Sequence, residues 1–343
     1  MSLRSRLVHD AVADTATPAV SVVVSTFNRA HLVPRLVDAL AAQDLASTFE
    51  VLIVDNGSSD DTSLILEHLA RDTRIHLRVL RVDDNRGPAP ARNLAWRAAR
   101  APLIAFTDDD CVPNPGWLSS VVHALAAVDI AQGKTIPNPD QPYVGPFAWA
   151  PEATSEVGFY ETCNIGYRRS VLESSGGFDE TVHRAWDGKG GGAGVWGDDT
   201  DLALRAKAAG ATSSFVPDAI VWHDVKPGRL RDRLADLPRR RGLVLLLKRF
   251  PEQRSRYELP WFSSRAHAYI VGAAAAAVVA VSRPRSPIGW IAGAVLMSKW
   301  AHLRGVYYPR RQWPRFLPQW FIVDVAEIAL FAQASAKHRT IFL

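Results

Sequence analysis

The stretch PLIAFTDDDCVPNPGW, residues 102–117, carries the strongest indication of the fold, because a short apolar run leads directly into three aspartates. Residues 102–107 have the composition of a buried strand, whereas aspartate is a poor strand former. The strand is therefore predicted to end where Asp108, Asp109 and Asp110 begin. Adjacent like charges repel, so the cluster indicates either a solvated turn or a site where carboxylates hold a divalent cation.

The preceding sequence alternates strand-like runs with segments of helical periodicity. We predict strands over 19–26, 49–55 and 76–82, and helices over 30–43, 58–71 and 88–100. This alternation is typical of a mainly parallel sheet with helices on both faces, an α/β fold. Ligands bind at the carboxyl ends of the strands in such sheets. Asn28, Asp55 and Asp108 lie at three of these ends, which is the first indication of a functional site.

Composition indicates a globular protein that is not built around disulfides. The chain has 343 residues, of which 48% are hydrophobic and 22% charged, and this balance excludes a disordered chain. Its two cysteines, Cys111 and Cys163, argue against a disulfide framework and fit a reducing cytosol. Residues 1–17 have no apolar core of the secretory type, so we expect a flexible lead-in and no cleaved signal peptide.

The last third of the chain differs in composition from the rest. Residues 226–250 are strongly basic and precede three apolar stretches, at 266–281, 287–300 and 316–332, which are short of or near the length that spans a bilayer. A basic patch favours a phosphate-rich partner, and its continuity with apolar segments indicates a membrane surface rather than nucleic acid. We expect 226–343 to be a basic linker and a helical, membrane-associated region. A helical hairpin packed on the rest of the protein is the alternative.

A second acidic group, GDDTDL at 197–202, follows the glycine-rich stretch DGKGGGAGVWG at 187–197. Residues 198–210 are predicted to be a helix. Acidic residues in a first turn satisfy free N–H groups and suit the helix dipole, so they indicate a cap. One of these carboxylates could instead act as a general base. His223, after a strand-like run, is either structural or a further ligand of the cation.

Two more polar segments follow predicted strands. VDNGSSDDT at 54–62 and NRGPAPARN at 85–93 are compatible with simple turns and helix starts. Arg92 in the second segment is free in this interpretation to meet a phosphate or a base.

Seven motifs in order resemble family 2 glycosyltransferases of the GT-A fold. They are VSVVVSTFNR, VLIVDNGSSDDT, NRGPAPARNLA, FTDDDCVPNPGWL, CNIGYRRSVLESSGGFDE, GDDTDLALRAKAAG and VWH. The resemblance covers about residues 18–225, which implies a GT-A-like catalytic domain there. The helical region 226–343 lies outside it.

The resemblance implies roles for individual residues. The donor, a nucleotide-diphosphate sugar, would be held by Thr26, Asn28, Arg29, Asp55, Asn85, Arg92, Asp108 and Asp109. Asp108 would face the ribose, and Asp109 would point outward or support its neighbours and tolerate substitution best. Mn²⁺ or Mg²⁺ on the diphosphate would be bound by Asp110 and His223.

The same resemblance implies the catalytic base and the lid. Asp199 matches the family's base, although the family usually carries Glu-Asp where this chain has Asp198 and Asp199. The glycine-rich stretch would form a lid, with Trp186 or Trp196 as a platform for a sugar.

The implied reaction is a metal-dependent inverting transfer of a sugar to a hydroxyl group of a glycan or lipid-linked acceptor. It would take place at the cytoplasmic face of the membrane, or in the cytoplasm if the C-terminal helices are packed core. Two alternatives remain. A haloacid-dehalogenase-like phosphatase would use Asp108 as nucleophile and Asp110 as general acid, and a catalytically dead protein would only bind sugar nucleotides.

Overall fold

Four strands in parallel order form the centre of the first unit. The computed structural model describes residues 5–10, 17–181, 196–306 and 308–343. The parallel strands are β2 (Val20–Thr26), β3 (Phe49–Asn56), β4 (His76–Val82) and β5 (Leu103–Thr107), connected by the helices α1 (Val33–Ala41), α2 (Thr62–Asp72) and α3 (Pro88–Ala98). β2 pairs with both β3 and β5, and β3 pairs with β4. The predicted alternation of strands and helices is confirmed.

The remaining strands of the sheet extend it with mixed direction. They are β1 (Ser5–Asp10), β6 (Cys111–Pro113), β7 (Ile130–Pro137), β8 (Asn164–Arg168) and β9 (Ser213–His223). Their helices are α4 (Trp117–Leu125), α5 (Arg169–Ser174) and α6 (Asp198–Ala208). The strand order is β1-β4-β3-β2-β5-β8-β7-β9-β6, with β8 antiparallel to β5 and β6 antiparallel to β9.

The predicted flexible lead-in over 1–17 is wrong for residues 5–10. These residues form β1, which pairs antiparallel with β4, with Leu7 opposite Leu80. The absence of a helical or secretory pattern did not exclude an edge strand, since an edge strand needs only one partner.

The central strands are apolar throughout because both faces of the sheet are covered. Val20, Val22, Val23 and Val24 of β2 are fully buried, although consecutive residues point to opposite faces. Helix α1 buries one stripe, which includes Leu36 and Leu40, against the same core. Burial on both faces explains why β2 lacks the alternation of an exposed strand.

A buried carboxylate fixes the amino ends of these strands. Glu50 on β3 accepts hydrogen bonds from Ser21 Oγ on β2 at 2.6 Å and from the Arg100 N–H before β5 at 2.5 Å. Its other oxygen lies 3.1 Å from Nη1 of Arg78 on β4. Glu50 is fully buried, so its charge needs partners within the protein, and these groups tie three strands and a loop together.

The second unit contains Val144–Ala148 and Pro227–Leu343, while the first contains the rest of the chain up to Lys226. The second unit is helical, with α7 (Leu230–Asp236), α8 (Gly242–Arg249), α9 (Arg265–Ser282), α10 (Ile288–Gly305) and α11 (Trp313–His338). Short 3₁₀ turns lie at Leu237–Arg241, Pro251–Arg256 and Arg310–Gln312.

Helices α9 and α10 pack as a close hairpin. A Cβ atom on Gly289 would lie 2.5 Å from the backbone nitrogen of Ala280, so only glycine permits this approach. At the other end of the hairpin, Asp324 of α11 is fully buried and accepts hydrogen bonds from Trp300 Nε1 at 2.8 Å and Arg304 Nε at 2.9 Å. Small residues and a buried ion pair thus hold the three long helices.

We expect Glu50→Ala to lower the free energy of unfolding by about 3–5 kcal/mol, because it leaves the buried Arg78 guanidinium without its carboxylate. The measurement is denaturant unfolding followed by circular dichroism. Glu67→Ala is the control, since Glu67 forms only a partly exposed helix pair with Arg71 at 3.8 Å and should change stability by about 0.5 kcal/mol or less. Equal shifts in the two variants would contradict the role of Glu50.

Candidate active site

Asn28 joins the loops that follow β2 and β3 at the carboxyl edge of the sheet. Its backbone is in the left-handed region, with φ of 54°, which asparagine tolerates better than most residues. Its side-chain oxygen accepts a hydrogen bond from the Ser59 N–H at 2.8 Å, and its own N–H donates to Ser58 Oγ at 2.9 Å. Asn28 therefore sets the shape of the edge where the donor is predicted to bind.

Asp55 and Asn85 shape the neighbouring loops. The Asp55 carboxylate, fully buried, lies 2.8 Å from Arg81 Nη1 and accepts a hydrogen bond from the Ser58 N–H at 2.9 Å. The Asn85 side-chain oxygen accepts a hydrogen bond from Asn56 Nδ2 at 3.0 Å. These bonds fix the two predicted donor-binding residues at the same edge.

Arg92 and Asp108 form a buried ion pair between α3 and the end of β5. Arg92 Nη2 lies 2.7 Å from Asp108 Oδ1. Burial would raise the pKa of Asp108, but the charge and hydrogen bond of Arg92, together with the charges of His223 and Lys226, hold that pKa below the usual range. Burial likewise opposes a charged Arg92, yet Asp108, then Asp198 and Asp199, raise the pKa of the guanidinium. The predicted nucleotide and base residues therefore belong to one electrostatic group.

Of the two expectations for Asp109, that it points outward or that it supports its neighbours, the structure contradicts the first and agrees with the second. Its side chain is buried and accepts a hydrogen bond from Thr26 Oγ1 at 2.7 Å, with Arg29 Nε 3.6 Å away. Burial, followed by the charge of Asp110, raises the pKa of Asp109 to about 7. The middle aspartate thus ties the ends of β2 and β5 together, because only an inward carboxylate can reach the Thr26 hydroxyl.

Asp110 and His223 meet because β6 pairs antiparallel with β9. Asp110 Oδ1 lies 3.2 Å from His223 Nε2, and the ring's Nδ1 donates to the Asp224 carbonyl at 2.9 Å. With Nδ1 protonated in this way, Nε2 carries a lone pair in the neutral ring. A lone pair and a carboxylate oxygen at this distance require a proton or a cation between them.

Cys111 completes a cluster of potential ligands with Asp110 and His223, whose ligand atoms all lie within 4.8 Å of one another. Burial raises the pKa of the Cys111 thiol well above its usual value. Because the thiolate is the form that binds metal, the oxygen of Asp110 and the nitrogen of His223 are the suitable donors. This pair fits Mn²⁺ or Mg²⁺ better than a thiophilic ion.

Asp198 and Asp199 begin helix α6, after Gly197 with φ of 95°. Asp199 accepts hydrogen bonds from the Thr200 N–H at 2.7 Å and the Thr162 N–H at 3.3 Å. Burial, followed by the charge of Asp198, raises the pKa of Asp199 to about 7. The cap and the base interpretations are therefore compatible, since this carboxyl bonds backbone groups and also has the pKa of a base at neutral pH.

Trp196 is the predicted platform residue that falls within the described residues. Its ring lies 5.6 Å from that of Trp149, and Lys226 Nζ lies 5.2 Å above the Trp149 ring. Trp186 and residues 187–195 of the glycine-rich stretch lie outside the described residues, so the lid stays a prediction.

The sequence interpretation missed three residues around this edge. Trp149 and Lys226 pair through their backbones, and Lys226 Nζ lies 3.7 Å from Asp110 Oδ2. Glu161 immediately precedes the segment that contacts Asp199. The only indication of Lys226 in the sequence was its position three residues after His223. Nothing in the sequence indicated that Trp149 would lie near Lys226 or His223.

Comparisons with known proteins agree on a family. The family model Glycosyl transferase family 2 matches residues 21–176, and Glycosyl transferase family group 2 matches residues 103–331. Similar proteins include glycosyltransferase AglE of Haloferax volcanii, which is 28% identical over 61% of this chain and 68% of its own length. Pre-mycofactocin glycosyltransferase of Mycobacterium tuberculosis is 30% identical over 63% of this chain. Succinoglycan biosynthesis protein ExoU of Rhizobium meliloti is 33% identical over 57% of it.

The matches span only part of two of these relatives, namely 44% of the mycobacterial protein and 59% of ExoU. Among solved structures, mannosyltransferase PcManGT from Pyrobaculum calidifontis, in complex with GDP-Man and Mn²⁺, superposes with a TM-score of 0.58. It is 20% identical, and the match covers 91% of this chain and 88% of that one. S. aureus TarS in complex with UDP-GlcNAc gives 0.53 at 16% identity, over 94% and 92% of the two chains. The likeness confirms the GT-A-like fold, and with the family matches it establishes that the chain belongs to the family 2 glycosyltransferases.

Proposed function

We propose that this protein is a metal-dependent, inverting glycosyltransferase that uses Asp199 as its general base. One observation carries the proposal. A buried carboxyl with a pKa of about 7 lies in the same electrostatic group as the Arg92–Asp108 pair, beside a carboxylate–imidazole pair suited to a hard cation. A sugar transfer from a diphosphate requires all three functions at one place.

The donor is a nucleotide-diphosphate sugar at the carboxyl edge of β2, β3 and β5. PcManGT and TarS, which share the fold, are bound to GDP-Man and UDP-GlcNAc in their structures. Here the fixed loops around Asp55 and Asn28 receive the nucleoside, and Asp108 accepts hydrogen bonds from the ribose. Arg92 keeps Asp108 ionised, so that this carboxylate remains an acceptor at neutral pH.

Asp110 and His223 would hold Mn²⁺ or Mg²⁺ near the diphosphate of the donor. The lone pair of His223 Nε2 lies 3.2 Å from the Asp110 oxygen, and these two groups are donors that such a cation accepts. When bound, the cation would supply positive charge that offsets the charge on the departing nucleoside diphosphate. Lys226, 3.7 Å from the other Asp110 oxygen, adds positive charge on the same side.

Asp199 takes the proton of the acceptor hydroxyl as its oxygen attacks the anomeric carbon. The bond from that carbon to the diphosphate oxygen breaks on the opposite face, so the configuration inverts. The Thr162 and Thr200 N–H groups orient the Asp199 carboxylate, while its raised pKa makes it a better base than an exposed aspartate.

The acceptor is a glycan or a lipid-linked glycan at a membrane surface. A glycan acceptor is supported by the relative ExoU, which is a succinoglycan biosynthesis protein. Two segments, Arg265–Ser282 and Arg310–His338, are long and apolar enough to cross a membrane by length and composition, and 33% and 22% of an apolar 18-residue window in each are buried. Exposed apolar side chains cluster near the turn between α9 and α10, namely Val278, Val279, Val281, Ile288, Trp290 and Ile291. This turn also carries Arg283 and Arg285, which suit anionic lipid phosphates.

The basic segment 226–256, in contrast, directs several arginines inward. Arg240 pairs with Glu327 of α11, and Arg233 lies 3.8 Å from the same carboxylate. Arg239 lies 3.1 Å from Asp236. These charges are partly neutralised within the unit, so we assign the membrane contact to the α9–α10 turn.

The phosphatase alternative is not supported. The chain belongs to a glycosyltransferase family, and Arg92 is paired with Oδ1 of Asp108 at 2.7 Å. A protein that binds sugar nucleotides without transferring them is distinguished by the Asp199 experiment.

We expect Asp199→Asn to lower kcat by about 100- to 10,000-fold, because an amide cannot accept the acceptor's proton. Affinity for the nucleotide sugar should stay within about threefold, which calorimetric titration measures. In the unaltered protein, kcat/KM should rise with pH through the Asp199 pKa of about 7, since only the carboxylate form acts as base. Asp218→Asn, an exposed residue on β9, is the control.

The same substitution has an expected effect on stability. The pKa of Asp199 is raised from its ordinary value of 3.8 to about 7 in the native state, so the native state loses stability as the pH rises between these two values and loses no more above them. Asp199→Asn removes this loss and should raise the thermal midpoint most at alkaline pH.

Unchanged turnover in Asp199→Asn would disprove its role as base, and absent turnover in the unaltered protein with any donor would favour the binding-only alternative.

We expect His223→Ala to weaken Mn²⁺ binding by about 10- to 100-fold, because it removes one of two protein donors. The measurement is the electron paramagnetic resonance signal of free Mn²⁺ during titration in the presence of UDP or GDP. His68→Ala, an exposed helix residue, is the matched control. Full transferase activity in excess EDTA would contradict metal dependence.

We expect the double substitution Val281→Glu and Ile291→Glu to reduce co-sedimentation with phosphatidylglycerol liposomes by about tenfold or more. It places two charges where apolar side chains, 74% and 60% exposed, are proposed to enter the acyl region. Leu64→Glu, at an exposed position of α2 in the first unit, should bind liposomes like the unaltered chain. Equal binding by all three proteins would exclude this contact.

A further inference from the structure

The segment 160–164 links the two ends of the candidate site. Thr107, which immediately precedes Asp108, donates a hydrogen bond from Oγ1 to the Cys163 carbonyl at 3.0 Å. One position earlier along this segment, the Thr162 N–H donates to Asp199 Oδ2 at 3.3 Å. The next residue back is Glu161, whose carbonyl accepts a hydrogen bond from the Asn164 N–H at 3.2 Å. Its backbone is therefore fixed between the donor side and the base.

The Glu161 carboxylate has an oxygen without a partner. Oε2 is buried, and no group in the described part of the chain lies within hydrogen-bonding distance of it. A buried carboxylate oxygen is normally satisfied, because its desolvation is costly when no donor replaces water. An unsatisfied one beside a substrate site indicates a hydrogen bond that forms only with the ligand.

The electrostatic neighbours of Glu161 lie on both sides of the site. Burial raises the pKa of Glu161, with His223 lowering it and Asp108 raising it. Glu161 in turn contributes to the raised pKa of Asp199. The charge of Glu161 therefore interacts with His223 on the cation side, with Asp108 on the donor side and with the base Asp199.

Glu161 is not part of the cation cluster. Among the described residues, the group whose ligand atoms lie close enough together to hold a metal consists of Asp110, Cys111 and His223. The free oxygen of Glu161 thus needs a partner that donates hydrogen bonds. The transferred sugar must lie between the diphosphate and the base. Its anomeric carbon is bonded first to the diphosphate and then to the acceptor oxygen, which lies next to the base.

We propose that Glu161 accepts a hydrogen bond from a hydroxyl group of the transferred sugar and thereby helps to determine which sugar the enzyme uses. This inference rests on the proposed function. Hydroxyl-to-carboxylate hydrogen bonds are short and strong, and a site built to bond a hydroxyl rejects an analogue that lacks it. Glu161 is therefore a specificity-determining residue for the donor.

The test compares the affinity for the nucleotide sugar with the affinity for the nucleotide alone. UDP-glucose, UDP-GlcNAc and GDP-mannose are titrated calorimetrically with Mn²⁺, beside UDP and GDP, into the unaltered chain, Glu161→Ala and Glu161→Gln. We expect Glu161→Ala to weaken binding of the preferred nucleotide sugar by about 10- to 100-fold. Its affinity for the matching nucleoside diphosphate should change by less than about twofold. Glu173→Ala, exposed on α5, is the control.

Deoxy-sugar versions of the preferred donor then identify the hydroxyl. One deoxy donor should bind the unaltered chain about as weakly as the parent donor binds Glu161→Ala. The affinity of that deoxy donor should not fall further in Glu161→Ala, because the hydrogen bond is already absent. The nearly isosteric Glu161→Gln, checked by circular dichroism, keeps the test interpretable if Glu161→Ala fails to fold.

Two results would overturn the inference. Equal losses for the nucleotide sugar and the nucleoside diphosphate would mean that Glu161 only supports the site, and an effect confined to the acceptor's KM would assign it to the acceptor. Normal donor binding that is insensitive to Glu161 refutes this inference alone. Failure of the unaltered chain to bind any nucleotide sugar would refute the proposed function as well.

Discussion

The parallel pairing of β2 with both β3 and β5 is the constraint on which the site depends. Because the three strands run in one direction, the loops that leave them emerge at one edge. Thr26 then lies near Asp109, and the Asn28 loop meets the loop after Asp55. At the opposite edge, Glu50 bonds groups from the neighbouring strands. Buried carboxylates thus link neighbouring strands at both edges of the sheet.

The carboxyl edge carries aspartates in two different states. Arg92 lowers the pKa of Asp108 below its usual range, whereas burial raises the pKa values of Asp109 and Asp199 to about 7. The difference arises from partners, since among these three aspartates the described residues place a guanidinium within 2.7 Å of Asp108 alone. Aspartates within one site can therefore differ in function. One that stays ionised can accept hydrogen bonds at neutral pH, and one with a raised pKa can accept a proton.

Local pattern predicted the first unit well because its signals are local. β4 has the predicted limits, 76–82, and α6 begins at Asp198 as expected. The orientation of Asp109 could not be predicted, because it depends on Thr26, which is 83 positions away in the sequence. Glu161 and Trp149 escaped notice for the same reason. Their significance comes from neighbours that are distant in the sequence, such as Lys226 for Trp149 and the Asp199 region for Glu161.

The edge strand β1 was missed because a single antiparallel partner leaves almost no periodic signal. The basic segment 226–256 was interpreted from charge alone, but the sequence could not indicate that Glu327, 87 positions after Arg240, would neutralise part of it. Composition therefore could not predict which arginines of the second unit pair with carboxylates inside it.

The short segment Val144–Ala148 has a consequence for how the chain is made. It belongs to the second unit, where the Gly228 N–H donates to the Val144 carbonyl at 2.9 Å and Phe147 packs in a cluster with Leu237 and Val323. Residues 144–148 leave the ribosome about 80 residues before Gly228 does. They therefore remain without their partners from the second unit while the last strands of the sheet are synthesised. A truncated chain ending at Lys226 would leave this apolar segment without its partners, and no single cleavage separates the two units.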